Sequence, residues 1–181
     1  MDKDIQQSFD NLQSNDADLR YQAYLYLHEV TENPVNWAYE VWDDLVADFK
    51  HKNNHRRAIA TQLIVQLAKS DPDQLIFNDF PKLMEVTKDE KFVTARHTIQ
   101  ALWKVGIESK EHQQLVLNHT EQRFKDCEGE KNHTLIRYDL IVGLRNLYNE
   151  VEDEEIKERA EALMELETDE KYQKKYKKEW K

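Results

Sequence analysis

Four histidines stand in pairs whose spacing could set two imidazoles on one helix face: His51 with His55, and His112 with His119. Two such nitrogens are half of a zinc site, which needs further Cys, His, Asp or Glu ligands close by. His51 and His55 flank a turn rich in Lys, Arg and Asn, and neither pair has a third ligand at suitable spacing. No metal is therefore expected. Cys127, the single cysteine, stands among Lys125, Asp126 and Glu128 without a spaced histidine to take its proton, so a thiolate nucleophile is unsupported. The carboxylate run Glu152 to Glu155 reads as a solvated helix start, where acids oppose the positive end of the helix dipole, and not as an acid/base pair. With three glycines the chain holds no Gly-rich phosphate loop, and no Ser-centred nucleophile motif occurs. No catalytic residue and no cofactor is assigned.

The remaining chemistry belongs to arginine. Arg20, Arg57, Arg96 and Arg137 recur at spacings of 37, 39 and 41 residues, each inside a similar apolar frame. In the first copy the frame is Leu19, Arg20, Ala23, Tyr26 and Leu27. Ala60, Leu63 and Ile64 fill it after Arg57, Ile99, Leu102 and Trp103 after Arg96, and Leu140, Gly143 and Leu144 after Arg137. Apolar positions three and four apart mark one face of a helix, and a helical unit repeating at this period predicts stacked helix pairs, a solenoid in which no unit buries its face alone. Four aligned arginines could bind phosphates. The stronger expectation is structural: a partly buried charge is paired, here with acids or helix ends of a neighbouring unit.

Composition agrees with an all-α chain. The 181 residues suffice for one continuous structure, 1–181, with 151–181 as a closing helix pair. Three Gly and three Pro leave little room for hairpins or open linkers. A formal charge of −10 opposes unspecific attraction to nucleic acid. No apolar run approaches the roughly 20 residues of a membrane span. The first ten residues lack signal-peptide character, so the expected location is cytoplasmic, and the acceptor-like Asn118-His-Thr and Asn132-His-Thr are read as coincidence.

Along the chain, helices are expected over 3–13, 17–31 and from Val35 to Lys50, then at 55–69, in a segment that Pro81 should break or kink, at 91–107, 110–126 and 133–148, and in a last pair. Trp37, Trp42 and Trp103 are assigned to packing, with Trp37 and Tyr39 the aromatics expected nearest the surface. Residues 150–170 carry eleven acids and two bases, and 171–181 six lysines against Glu179. Tyr172, Tyr176 and Trp180 recur every fourth residue, which predicts a helix that closes the stack with its aromatic side, its lysines facing water and the acidic helix before it.

If the apolar frame points inward, the open side of each repeated helix falls at +1, +4, +5 and +8 from its arginine. These positions are Tyr21, Tyr24, Leu25 and His28; Ala58, Thr61, Gln62 and Val65; His97, Gln100, Ala101 and Lys104; and Tyr138, Ile141, Val142 and Arg145. Tyr, Arg, His and Gln gathered on one strip suit a recognition surface, since aromatic and Arg side chains dominate interface energetics.

The pattern of an acidic turn followed by hydrophobic-Arg-x-x-Ala-x-x-Ala-Leu resembles the HEAT repeat family over about 15–150. The likeness is strongest at Asp16 to Leu27 and around Ala95, Arg96, Ala101, Leu102 and Gly106. It implies a right-handed α-solenoid of about five antiparallel helix pairs whose second helices line a concave face that holds partner proteins. The turn acid, four residues before the arginine, is present as Asp16 but replaced by Asn53, Phe92 and His133, and Arg56 stands where an apolar residue is expected. The function expected is a non-catalytic protein–protein interaction scaffold, a monomer, gripping another protein through Tyr21, Tyr24, His28, Gln62, His97, Gln100, Lys104, Tyr138 and Arg145. The alternative is a HEAT-like DNA-binding or alkylation-repair glycosylase-type enzyme, opposed by the net charge.

Overall fold

The computed structural model describes all residues 1–181, which form ten α-helices, three short 3-10 segments and no strand. They divide into two compact units, 1–95 and 96–181, with the division inside the sixth helix.

The first unit contains α1 (Lys3–Asn11), α2 (Ala17–Val30), α3 (Ala38–Asp48), α4 (Asn54–Leu67), α5 (Leu75–Val86) and the start of α6 (Phe92–Ala101). Side-chain caps open three of them: Asp2, Asp16 and Asn53 each accept hydrogen bonds from orphan N–H groups of the first turn. The helices pair as α1 on α2 and α3 on α4, while α2 packs on α4 and α3 on α5. Two layers result, with Leu27, Trp42, Leu63, Ile64 and Phe80 buried between them.

The third helix begins at Ala38 and not at Val35, whose N–H donates to Ser70 Oγ at 2.9 Å. Trp37 is buried, since Phe9 of α1 meets it edge-on at 5.8 Å; Tyr39 is indeed exposed. Pro81 does not break α5, which runs through it from Leu75 to Val86. Ile76, Phe80, Leu83 and Met84 anchor both halves of that helix in the core while the proline ring faces solvent.

In the second unit the helix of the third copy does not continue to residue 107 as α-helix. It tightens into a 3-10 segment, Leu102–Ile107, that packs on α7 (Lys110–Asp126) and α8 (His133–Val151). Gly106 permits that approach: a Cβ there would lie 2.8 Å from a Leu147 methyl. Then follow α9 (Glu154–Glu165) and α10 (Glu170–Glu179), with α7 on α9 and α8 on α10. Glu152 ends α8 in the left-handed region at φ 51°, unusual for a residue with a Cβ, and Asp153 caps α9.

The aromatic side of α10 packs inward. Tyr176 is fully buried, and its hydroxyl donates to Glu167 Oε2 at 2.9 Å. Trp180 donates from Nε1 to the Ile141 carbonyl at 3.3 Å. No ion pair joins the lysines of α10 to α9; Lys175 instead lies over the rings of Tyr172 and Tyr138, 4.4 and 5.4 Å from their centroids.

Candidate functional site

The repeat arginines are engaged within the chain. Arg57 donates from Nε and Nη2 to both carboxylate oxygens of Asp89 at 2.6 and 2.8 Å, and from Nη1 to the His51 carbonyl. Burial alone would raise the Asp89 carboxyl, but the hydrogen bonds from Arg57 and from the Lys91 N–H outweigh it and hold Asp89 below the ordinary aspartate range. Arg96 grips Asp139 in the same forked way at 2.7 and 2.9 Å. Arg137 is buried, donates to the Phe124 carbonyl at 3.1 Å and stands 3.7 Å from Glu167. Arg20 reaches the Ser14 carbonyl at 2.8 Å. Two of the four guanidiniums, those of Arg57 and Arg96, are thus forked onto carboxylates of the same chain.

Of the strip on α2, Tyr21 is 59% and Leu25 43% exposed, while Tyr24 and His28 are half-buried. Tyr24 donates its hydroxyl to Gln62 Oε1 at 3.0 Å and packs on the His28 ring at 4.4 Å. Gln66 Nε2 lies 3.4 Å from His28 Nδ1, so α4 fixes the strip in place through two amides. Ala58, Thr61 and Val65 do not lie on the open side; all three are buried, because neighbouring helices close over that part of α4. In the second unit His97 and Gln100 are exposed, and Gln100 also reaches Asp139 at 3.3 Å. Lys104 is half-buried and Ile141 is buried.

Tyr138 and Arg145 face α10. The Tyr138 hydroxyl donates to Glu179 at 2.7 Å, and its ring meets those of Tyr172 and Tyr176 at 6.3 and 6.5 Å. The hydrogen bond to the Glu179 carboxylate, with burial, pushes the Tyr138 phenol up to about 12. Arg145 lies over Tyr148 and Trp180, 5.6 and 5.4 Å from their centroids. Among the residues singled out from sequence, the structure thus brings Tyr21, Tyr24, His28 and Gln62 together on one open surface. Tyr138 and Arg145 serve contacts within the second unit.

A concavity that sequence reasoning missed lies in the first unit. The helix α1 packs on α2, and a cleft of about 170 Å³ opens between α1, α3 and α4. Phe9, Leu12, Val41, Leu45 and Ile59 form its apolar floor, and Asp10, Glu40, Asp44 and Asp48 its rim. Glu40 pairs with the Met1 amino group at 2.7 Å, and Asp48 chelates Arg56. Asp10 and Asp44 meet no cation. The signal was present in the sequence, since Glu40, Asp44 and Asp48 are four apart and share a helix face.

No group of three His, Cys, Asp or Glu side chains is arranged to hold a metal ion. Cys127 is buried beneath α8 with its Sγ directed at the Phe124 carbonyl, and burial pushes its thiol up, away from the thiolate a nucleophile needs. No helix is long and apolar enough to cross a membrane. No protein-family model matches this sequence, and no curated protein matches it either.

Proposed function

We propose that the chain is a HEAT-like α-solenoid of about five helix pairs and works as a non-catalytic scaffold that holds another protein. Support for the repeat reading comes from hydrogen bonds that recur between residues about one period apart within each unit. Tyr24 bonds Gln62 and Trp42 bonds Asp79, 38 and 37 residues on; Gln113 bonds Asp153 and Tyr138 bonds Glu179, 40 and 41 residues on.

The observation that carries the scaffold reading is the surface of α2. Tyr21 and Leu25 are large, exposed and adjacent, beside half-buried Tyr24 and His28 that α4 holds rigid. A preordered aromatic patch of this kind loses little side-chain entropy on binding, which suits it to anchor a partner.

The test is capture of partners by the wild-type protein and by a Tyr21→Ala, Leu25→Ala double variant. These two side chains make no hydrogen bond to α4, so the variant keeps the wild-type helical signal and melting temperature. It should lose the partners that the wild type retains through a stringent wash. An unchanged set of retained partners would rule out this face.

A further inference from the structure

The cleft between α1, α3 and α4 has a chemistry distinct from the aromatic strip on α2. Its floor is apolar, from half-buried Phe9, Leu12 and Ile59, and its rim is acidic on two sides, with Asp10 on α1 and Glu40, Asp44 and Asp48 on α3. Two cations answer four carboxylates there, the Met1 amino group and Arg56. At about 170 Å³ the space is that of one large side chain or two smaller ones. An occupant must bring apolar atoms for the floor and positive charge for the rim. A carboxylate-bearing or phosphate-bearing ligand would meet repulsion, and a purely apolar one would leave Asp10 and Asp44 desolvated without a partner.

We infer that this cleft is a docking site for a basic amphipathic helix of a partner protein, seated by a Leu or Met on the floor with flanking Lys or Arg side chains on Asp44 and Asp10. The stem of such a cation is itself apolar and lies along the wall while its head reaches the rim. Of the stripe Glu40, Asp44 and Asp48 on α3, Glu40 and Asp48 hold cations of this chain, which leaves Asp44 with Asp10 opposite to receive those of the partner. This site goes beyond the scaffold reading of the α2 strip and neither requires nor excludes it, because its lining comes from α1, α3 and α4 and includes none of Tyr21, Tyr24, His28 or Gln62.

Fluorescence anisotropy with the full chain tests it. The probe is a labelled 14-residue Leu/Lys peptide with amphipathic helical spacing; its counterpart carries Gln in place of every Lys. Two variants separate the cleft from the protein's overall negative charge. Asp44→Lys reverses a rim residue, and Asp43→Lys makes the same change in net charge at an exposed neighbour that does not line the cleft. The expected result is binding of the Lys peptide that Asp44→Lys weakens about tenfold or more and Asp43→Lys by about twofold or less, with weakening as salt rises. Ile59→Gln, which polarises the floor, should also weaken it, and the Gln peptide should not bind. Equal losses from Asp43→Lys and Asp44→Lys, or equal binding of the Gln peptide, would overturn the proposal. So would an Asp44→Lys variant that binds like wild type.

Discussion

In residues 96–181, Tyr138, Tyr172 and Tyr176 face one another across α8 and α10, and Trp180 closes on Tyr148 and Arg145. In residues 1–95, Tyr21 and Tyr26 stand exposed on α2, and of the three tyrosines of that helix Tyr24 is the one hydrogen-bonded to α4. The arginines differ in the same sense. Arg123 and Arg137 are buried in the second unit, whereas every arginine of the first keeps some exposure, although both units bury acids, Asp71 and Asp79 in the first and Asp139 and Glu167 in the second. Aromatic residues at helical spacing therefore have two outcomes, and the sequence frame around them does not decide which. What decides is whether a further helix arrives with complementary groups: α10 brings Glu179 and Trp180 to α8, and Glu167 just before it receives Tyr176. The second unit closes its α8 and α10 rings on one another, while the first buries Trp37, Trp42 and Phe80 and leaves Tyr21 and Tyr26 of α2 exposed.

Removing that helix should have the largest effect. Deletion of residues 169–181 takes away the fully buried Tyr176 and uncovers Ile141 and Arg137. Loss of a buried aromatic side chain costs about 3–5 kcal/mol, and in a protein of this size that lowers the melting temperature by roughly 10 °C. Hydrogen exchange should speed up in α8 and α9 while the amides of α2 and α4 keep their rates, and a dye that binds apolar surface should bind the truncated chain. A truncated protein with the full-length melting curve and no dye binding would mean that α10 contributes nothing to its unit.

Alkaline solution should loosen the same contact without mutation. The folded Tyr138 phenol lies at about 12 against an ordinary value near 10, chiefly because its hydroxyl donates a hydrogen bond to Glu179 that the ionised ring could not make, with burial next. A raised folded-state value means that the contribution is complete below pH 10 and disappears as pH rises from about 10 through 12. Tyr176 is shifted in the same direction by burial and by Glu167. Ring carbon-13 NMR should show Tyr138 ionising late in the wild type and earlier in Glu179→Gln. An unchanged titration in that variant would remove Glu179 as the cause.

Much of the helix order was legible in the sequence, and the reason is local: apolar residues at three- and four-residue spacing, Asp or Asn caps, and few breakers. The forked pairs of Arg57 with Asp89 and Arg96 with Asp139 were legible only as a class, because each acid lies in a different place relative to the next arginine. Trp37 was misread since its cover, Phe9, lies 28 residues earlier and nothing near Trp37 announces it. The same distance problem hid the engagement of Tyr138 and Arg145. The acidic stripe on α3 was visible in the letters, but the cleft there also needs α1 and α4 to line its other sides. Properties carried by one helix can be read from its residues. Properties that depend on which side chain arrives from some 40 residues away cannot.

The smallest expected effect gives the comparison its sharpest form, because one chemical deletion can be made in both units. Tyr176→Phe and Tyr24→Phe each remove a single hydroxyl that donates to an acceptor, 2.9 Å from Glu167 in the first case and 3.0 Å from Gln62 in the second. Glu167 is buried, so its carboxylate loses a donor with no water to replace it, and the cost should be about 1.5–3 kcal/mol. Gln62 is half-buried and its amide also donates to the Ala58 carbonyl, so water can take the place of the lost hydroxyl. Tyr24→Phe should then cost below about 1 kcal/mol, with the ring still packed on His28. Urea unfolding of the two variants reads the difference directly. Equal costs would show that the surface of α2 is as closed to water as the interface beneath α10, and would remove the basis for treating the two units differently.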